Sequence, residues 1–134
     1  MVAKERAEEA DALRIAEITF SGWIAAFCLT LLVEIPAVLL LARRLEPRPY
    51  RRAALALVGN ALSHPAVWFV FPALRLGWVE TTALSETWAW LVEGALYRAG
   101  FAHAGWRSAL FVSLAANLLS FGLGLGLWAL GALG

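Results

Sequence analysis

The sequence predicts an all-α integral membrane bundle of four transmembrane helices with a charged N-terminal helical extension. Three observations predict it. Hydrophobic residues make up 61% of the 134 residues and charged residues 16%. The charges gather at the N-terminus, across Arg43–Arg52 and at a few isolated sites. The intervening apolar runs are roughly 20 residues long, enough to cross a hydrocarbon core of about 30 Å. Within those runs, polar residues recur every third or fourth position, the spacing of one helix face.

Taken in order, Met1–Glu17 mixes Lys4, Glu5, Arg6, Glu8, Glu9, Asp11, Arg14 and Glu17 with alanines. Lys4/Glu8 and Arg14/Glu17 stand at helical pair spacing, so a solvated helix leading into the first span is expected. The segment lacks the basic-then-apolar order of a cleavable signal. Residues 18–134 form the expected four-helix transmembrane domain. Its first span, Ile18–Ala42, holds Glu34 well inside an apolar run, with Pro36 two residues later. A charge at bilayer depth costs at least about 2.5 kcal/mol, so Glu34 needs a partner or a proton.

A basic loop with Arg43, Arg44, Arg48, Arg51 and Arg52 follows, interrupted by Pro47 and Pro49. Its arginines are expected to set orientation and touch anionic headgroups. The second span, Ala53–Leu74, contains Asn60, His64-Pro65 and Pro72. After the turn Arg75–Thr81, the third span, Thr82–Ala99, carries Glu86 and Glu93. Gly100–Trp106 is a loop with a solvated His103. The fourth span, Arg107–Leu130, carries Asn117 and then Gly122, Gly124 and Gly126. No strong internal repeat is evident. The lone Cys28 cannot close an intrachain disulfide and is expected to pack as a small apolar residue.

Lys and Arg counts set the expected orientation. Arg43, Arg44, Arg48, Arg51, Arg52, Arg98 and Arg107 fall on one side; Lys4, Arg6, Arg14 and Arg75 fall on the other. The first and third loops are therefore expected in the cytoplasm of a bacterial-type inner membrane, with both termini outside. Trp23, Trp78, Trp88 and Trp128 then mark the outer interface and Trp106 the inner one.

Glu34, Asn60, Glu93 and Asn117 lie at a similar depth, roughly 10–15 Å from the same membrane face at 1.5 Å rise per residue. Each sits on a small or polar stripe of its helix: Gly22, Ala26, Thr30 and Glu34; Ala56, Asn60 and His64; Glu86, Trp90, Glu93 and Tyr97; Ser113, Asn117, Ser120 and Gly124. Thr30, His64, Glu86 and Ser120 are expected to make a second layer one turn outward. Pro36 and Pro65 remove the hydrogen bonds to the carbonyls of Leu32 and Ala61, near that layer. Gly122 and Gly126 form a Gly-x-x-x-Gly pair suited to close helix packing, within the chain or at a dimer seam.

Carboxylates, an imidazole and amides converging in low dielectric suit the exchange of a proton for another cation. The leading expectation is thus a proton- or cation-coupled small-solute transporter or channel. Its binding and coupling residues would be Glu34, Asn60, His64, Glu86, Glu93 and Asn117. The alternative is a non-catalytic membrane scaffold subunit in which the same groups tie helices together. A membrane-embedded metal-dependent enzyme ranks third, because the Glu-x-x-His and His-Glu-x-x-His spacings are absent. No Gly-x-Ser-x-Gly nucleophile turn occurs. No cofactor and no metal are expected. The expected partners are the lipid bilayer, a small cation or cationic solute, and a second copy or another membrane protein, with no nucleic acid. In size, span number and a first-span glutamate, the chain resembles the small multidrug-resistance transporters. Its His64-Pro65, its Glu86/Glu93 pair and its Asn117 stand outside that family's pattern, so no residue role is carried over.

Overall fold

The computed structural model describes residues 2–131, with backbone only for residues 2–16 and 18. Four long helices follow one another: α1 Val2–Leu41, α2 Pro49–Pro65, α3 Trp78–Gly100 and α4 Trp106–Ala129. α1 is one continuous helix whose N-terminal part carries the charged segment. The expected Lys4/Glu8 and Arg14/Glu17 pairs depend on the side chains of Lys4, Glu8 and Arg14, which lie outside the described residues.

Three stretches are long and apolar enough to cross a membrane: Thr19–Leu41, Pro49–Leu74 and Trp106–Ala129, at mean hydropathies of 2.5, 1.5 and 1.9. α3 has the length but carries Glu80, Glu86, Glu93 and Arg98.

α2 begins at Pro49, a residue whose fixed φ and missing N–H suit the first helical position. This is earlier than expected and draws Arg51 and Arg52 out of the loop into the first turn. Arg52 is buried, and its Nη1 donates to the Leu39 carbonyl in the last turn of α1. It is therefore an internal cap on α1 rather than a headgroup contact. α2 ends at Pro65, where the proline cannot continue the i→i−4 ladder. The chain passes into a π turn, Ala66–Val70, closed by Phe71 N–H to the Ala66 carbonyl at 3.0 Å, then a 3₁₀ turn, Pro72–Leu74. Arg75 takes a left-handed conformation at φ 56° and reverses the chain into α3.

α1 packs against α2 and α4, and α3 against the same two helices, so the four form a closed ring with α1 and α3 on one diagonal. The apolar core lies toward the first and third loops. Val38, Ala42, Ala56, Tyr97, Phe101, Ala109, Val112 and Ala116 are buried there. Leu110 packs directly on Gly94, where a Cβ would meet its Cδ2 at 2.6 Å. Trp90 Nε1 donates to the Leu110 carbonyl at 2.9 Å, and Ser113 Oγ donates to the Trp90 carbonyl at 2.9 Å, stitching α3 to α4.

The first loop is held by a residue the sequence reading passed over. Glu46 is fully buried within the arginine-rich stretch. It accepts the Arg48 N–H at 3.1 Å and the Ala102 N–H of the third loop at 3.3 Å, and it pairs with Arg51 at 3.5 Å. The Arg48 backbone N–H, followed by Ala102 and the Arg51 and Arg48 guanidiniums, holds its carboxyl below the ordinary value of 4.5 against the opposing effect of burial. His103 is exposed, and its N–H donates to the Leu45 carbonyl at 2.9 Å, adding a second tie between the loops.

Two local expectations are corrected. Cys28 is exposed on the outer face of α1, because that side of the helix meets no other helix. Gly122, Gly124 and Gly126 face open space, with no described atom within 4 Å of a Cβ built at any of them. The Gly-x-x-x-Gly pair therefore makes no close helix contact within the described chain.

Candidate functional site

The buried polar residues of the four helices meet at one level. Glu34 and Glu93 are both 0% exposed. Asn60 Nδ2 donates to Glu34 Oε2 at 2.7 Å and Ser120 Oγ to Glu34 Oε1 at 2.6 Å. Asn117 Nδ2 donates to Glu93 Oε2 at 2.8 Å and Ser63 Oγ to Glu93 Oε1 at 3.0 Å. Each carboxylate is thus bracketed by one amide and one hydroxyl, supplied by both helices of the other diagonal. Each asparagine also donates to the carbonyl one turn back, Ala56 at 3.1 Å and Ser113 at 2.9 Å. Those second bonds hold the amides with their NH₂ groups toward the carboxylates.

This arrangement exposes a repeat that the apolar runs conceal. Leu-Val-Glu occurs at Leu32–Glu34 in α1 and again at Leu91–Glu93 in α3. Asn-x-x-Ser occurs at Asn60–Ser63 in α2 and again at Asn117–Ser120 in α4. Glu34 and Glu93 stand the same number of residues before the ends of α1 and α3, Leu41 and Gly100. Asn60 and Asn117 stand the same number after the starts of α2 and α4. The two hairpins, α1–α2 and α3–α4, carry the same half-site in the same register. The absence of a repeat expected from sequence is corrected on this point. Leucine and alanine fill the remaining positions almost interchangeably, leaving only three polar matches, Glu34/Glu93, Asn60/Asn117 and Ser63/Ser120, to carry the signal.

The serines were the missed members. Ser120 was expected one turn above the Glu34 layer, yet it bonds Glu34 directly, and Ser63 had no assigned role. A serine in a helix can satisfy itself on a carbonyl three or four residues back, and the Asn117 carbonyl lies within reach of Ser120 Oγ at 3.0 Å as that alternative. Sequence alone does not say when it reaches across instead.

Away from the packed end, a cavity of about 740 Å³ rises from this layer. Glu34, Glu93, Asn60, Asn117, Ser63 and Ser120 line its base. Its walls include Leu29, Val67, Trp68, Phe121 and Leu125, and among the described residues no Lys or Arg lines it. Glu86 stands on the wall. His64 also lines the cavity, 8% exposed, with Nε2 3.5 Å from Thr30 Oγ1 and no partner on Nδ1. Its ring is enclosed by Phe27 at 5.3 Å, Trp68 at 6.4 Å and Trp23 at 6.5 Å between centroids. Val67 and Trp68 belong to the π turn, so the irregular backbone after Pro65 forms part of the cavity wall.

All six residues expected from sequence therefore reach one cavity: Glu34, Asn60, Glu93 and Asn117 at its base, His64 and Glu86 on its walls. Among the described residues, no group of three or more His, Cys, Asp or Glu side chains is placed to hold a metal ion.

The electrostatics are unbalanced. An ion taken out of water into low dielectric costs several kcal/mol unless it is paired. Two buried carboxylates share this base, and among the described residues no Lys or Arg lines the cavity above them, His64 being the one imidazole there. Such a base is neutral only when protons or an entering cation sit on it. No protein-family model, curated protein or solved structure matches the chain.

Proposed function

We propose that this chain is a four-span membrane protein that moves a small cation, a cationic solute or protons through the Glu34/Glu93 site. α3 is the fourth span, with Glu86 and Glu93 turned inward to the cavity and the polar layer and Glu80 exposed in its first turn. The observation that carries the reading is the cavity floored by two carboxylates, with His64 on its wall and, among the described residues, no Lys or Arg lining it. A cation entering from the cavity and a proton compete for the same oxygens, which is the elementary step of coupled exchange. The packed core below the layer and the cavity above it describe a site reached from one side, as alternating access requires of one of its states. In this reading residues 1–17 are a solvated extension, and the first and third loops are cytoplasmic in a bacterial-type inner membrane.

The second reading, a scaffold subunit, draws on the same hydrogen bonds. All four carboxylate oxygens already accept from a protein donor, as interhelical glue would. Flux in liposomes separates the two. With wild-type protein, an imposed pH gradient should drive cation or proton flux, and Glu34→Gln should abolish it while the protein still folds. Flux that persists unchanged in Glu34→Gln removes Glu34 from the mechanism. No flux in wild type, with folding preserved, favours the scaffold.

A further inference from the structure

We propose that the cavity binds an organic primary ammonium ion, its –NH₃⁺ shared between Glu34 and Glu93 and its apolar body lying along Leu29, Val67, Trp68, Phe121 and Leu125. This deepens the transport reading and rests on it for the charge at the cavity base.

The acceptor inventory points to an N–H donor. A carboxylate offers about four lone-pair sites, and each of these has two protein donors, so acceptor capacity remains on both. Unused acceptors on buried carboxylates favour a ligand that brings its own hydrogens. A primary ammonium brings three. The spacing suits it as well. Asn60 and Ser63 lie three residues apart on α2, about 5–6 Å between Cβ atoms, and they hold opposite carboxylates. The two carboxylates therefore meet the same turn of α2, where one –NH₃⁺ would make charge-assisted bonds to both. His64, on the wall of the same cavity and nine-tenths buried, adds one polar atom without a partner, its Nδ1.

The walls decide the rest of the ligand. A bare metal ion needs a shell of oxygen ligands, and the walls above the base offer mainly leucine, valine, alanine and aromatic carbon. About 740 Å³ lies within the range that encloses an organic molecule. A quaternary ammonium would look for open aromatic faces. Here Phe27, Trp23 and Trp68 already surround the His64 ring, so that cage is filled by the protein's own imidazole.

Calorimetric titration of the full chain in lipid nanodiscs tests this, with empty nanodiscs as the blank. The probes are n-hexylammonium and hexyltrimethylammonium at neutral pH. Hexylammonium should bind at least about 10-fold more tightly than the quaternary probe, the equivalent of one lost charge-assisted hydrogen bond. Glu34→Gln and Glu93→Gln should each weaken hexylammonium by a similar factor. Should either Gln variant fail to fold, Ala26→Phe fills the cavity with both carboxylates intact and should abolish binding. Equal binding of the two probes, or hexylammonium binding that survives Ala26→Phe, overturns the proposal. If hexylammonium does not bind but proton or alkali-cation flux depends on Glu34, the ammonium proposal falls and the transport reading stands. If neither binding nor flux is found, both fall.

Discussion

The two ends of the helix ring are built from similar small residues and reach opposite outcomes. Below the carboxylate layer, Ala42, Ala56, Gly94, Ala109 and Ala116 let the helices close, and Tyr97, Phe101, Val38 and Val112 fill what remains. Above it, Gly22, Ala25, Ala26 and Gly124 are just as small, but they line the cavity. Small residues permit close approach; they do not compel it. Closure follows where large side chains interdigitate with the small ones and the loops are tied, as Glu46 ties loop to loop. At the other end the second span passes into the π turn after Pro65, and the large side chains there, Trp68 and Phe121, stand on the walls of a space instead of filling it.

Substitutions at the two ends should therefore differ most in their effect on stability. Tyr97→Ala, at the packed end, should cost about 3–5 kcal/mol in denaturant unfolding in detergent, the range for removing a buried aromatic ring. Tyr97→Phe should be neutral or stabilising, because the buried Tyr97 hydroxyl has no partner. A large loss in Tyr97→Phe would mean that the hydroxyl is bonded and that the packed end is held by polarity rather than by fit.

A smaller contrast uses the same substitution twice. Gly94→Ala places a Cβ against Leu110 and should cost about 1–3 kcal/mol by overpacking. Gly122→Ala meets nothing and should be neutral or stabilise α4 by roughly 0.5–1 kcal/mol through helix propensity. Equal losses at both sites, measured by the same unfolding assay, would place a packing partner against the Gly122 face and break the comparison.

The smallest effect concerns the loop tie. The Glu46 carboxyl is held below 4.5 in the folded protein, chiefly by the Arg48 N–H. A depressed value means that its contribution is fully present above the unfolded value and is lost as pH falls below 4.5 through the folded one. Wild type should lose stability across that acid window, and Glu46→Gln should show a flatter profile there while being less stable at neutral pH. Identical acid profiles would detach Glu46 from the closure of the packed end.

The chain's own residues settled more of the site than of its surroundings. The apolar runs fixed that helices form, and the 3.6-residue period put Glu34, Asn60, Glu93 and Asn117 on consistent faces, because helix geometry needs only local spacing. A buried charge in an apolar run already demands a partner, so convergence of those faces was legible before any packing was known. Only the tertiary structure decided which donor meets which carboxylate, since Ser63 and Ser120 can equally bond their own helix. The Glu46 clamp also depended on it, because its second anchor, Ala102, is distant in sequence. So did the choice of the end that closes: alanines and glycines read alike along the chain, and only the side chains that arrive opposite them make one end a core and the other a cavity.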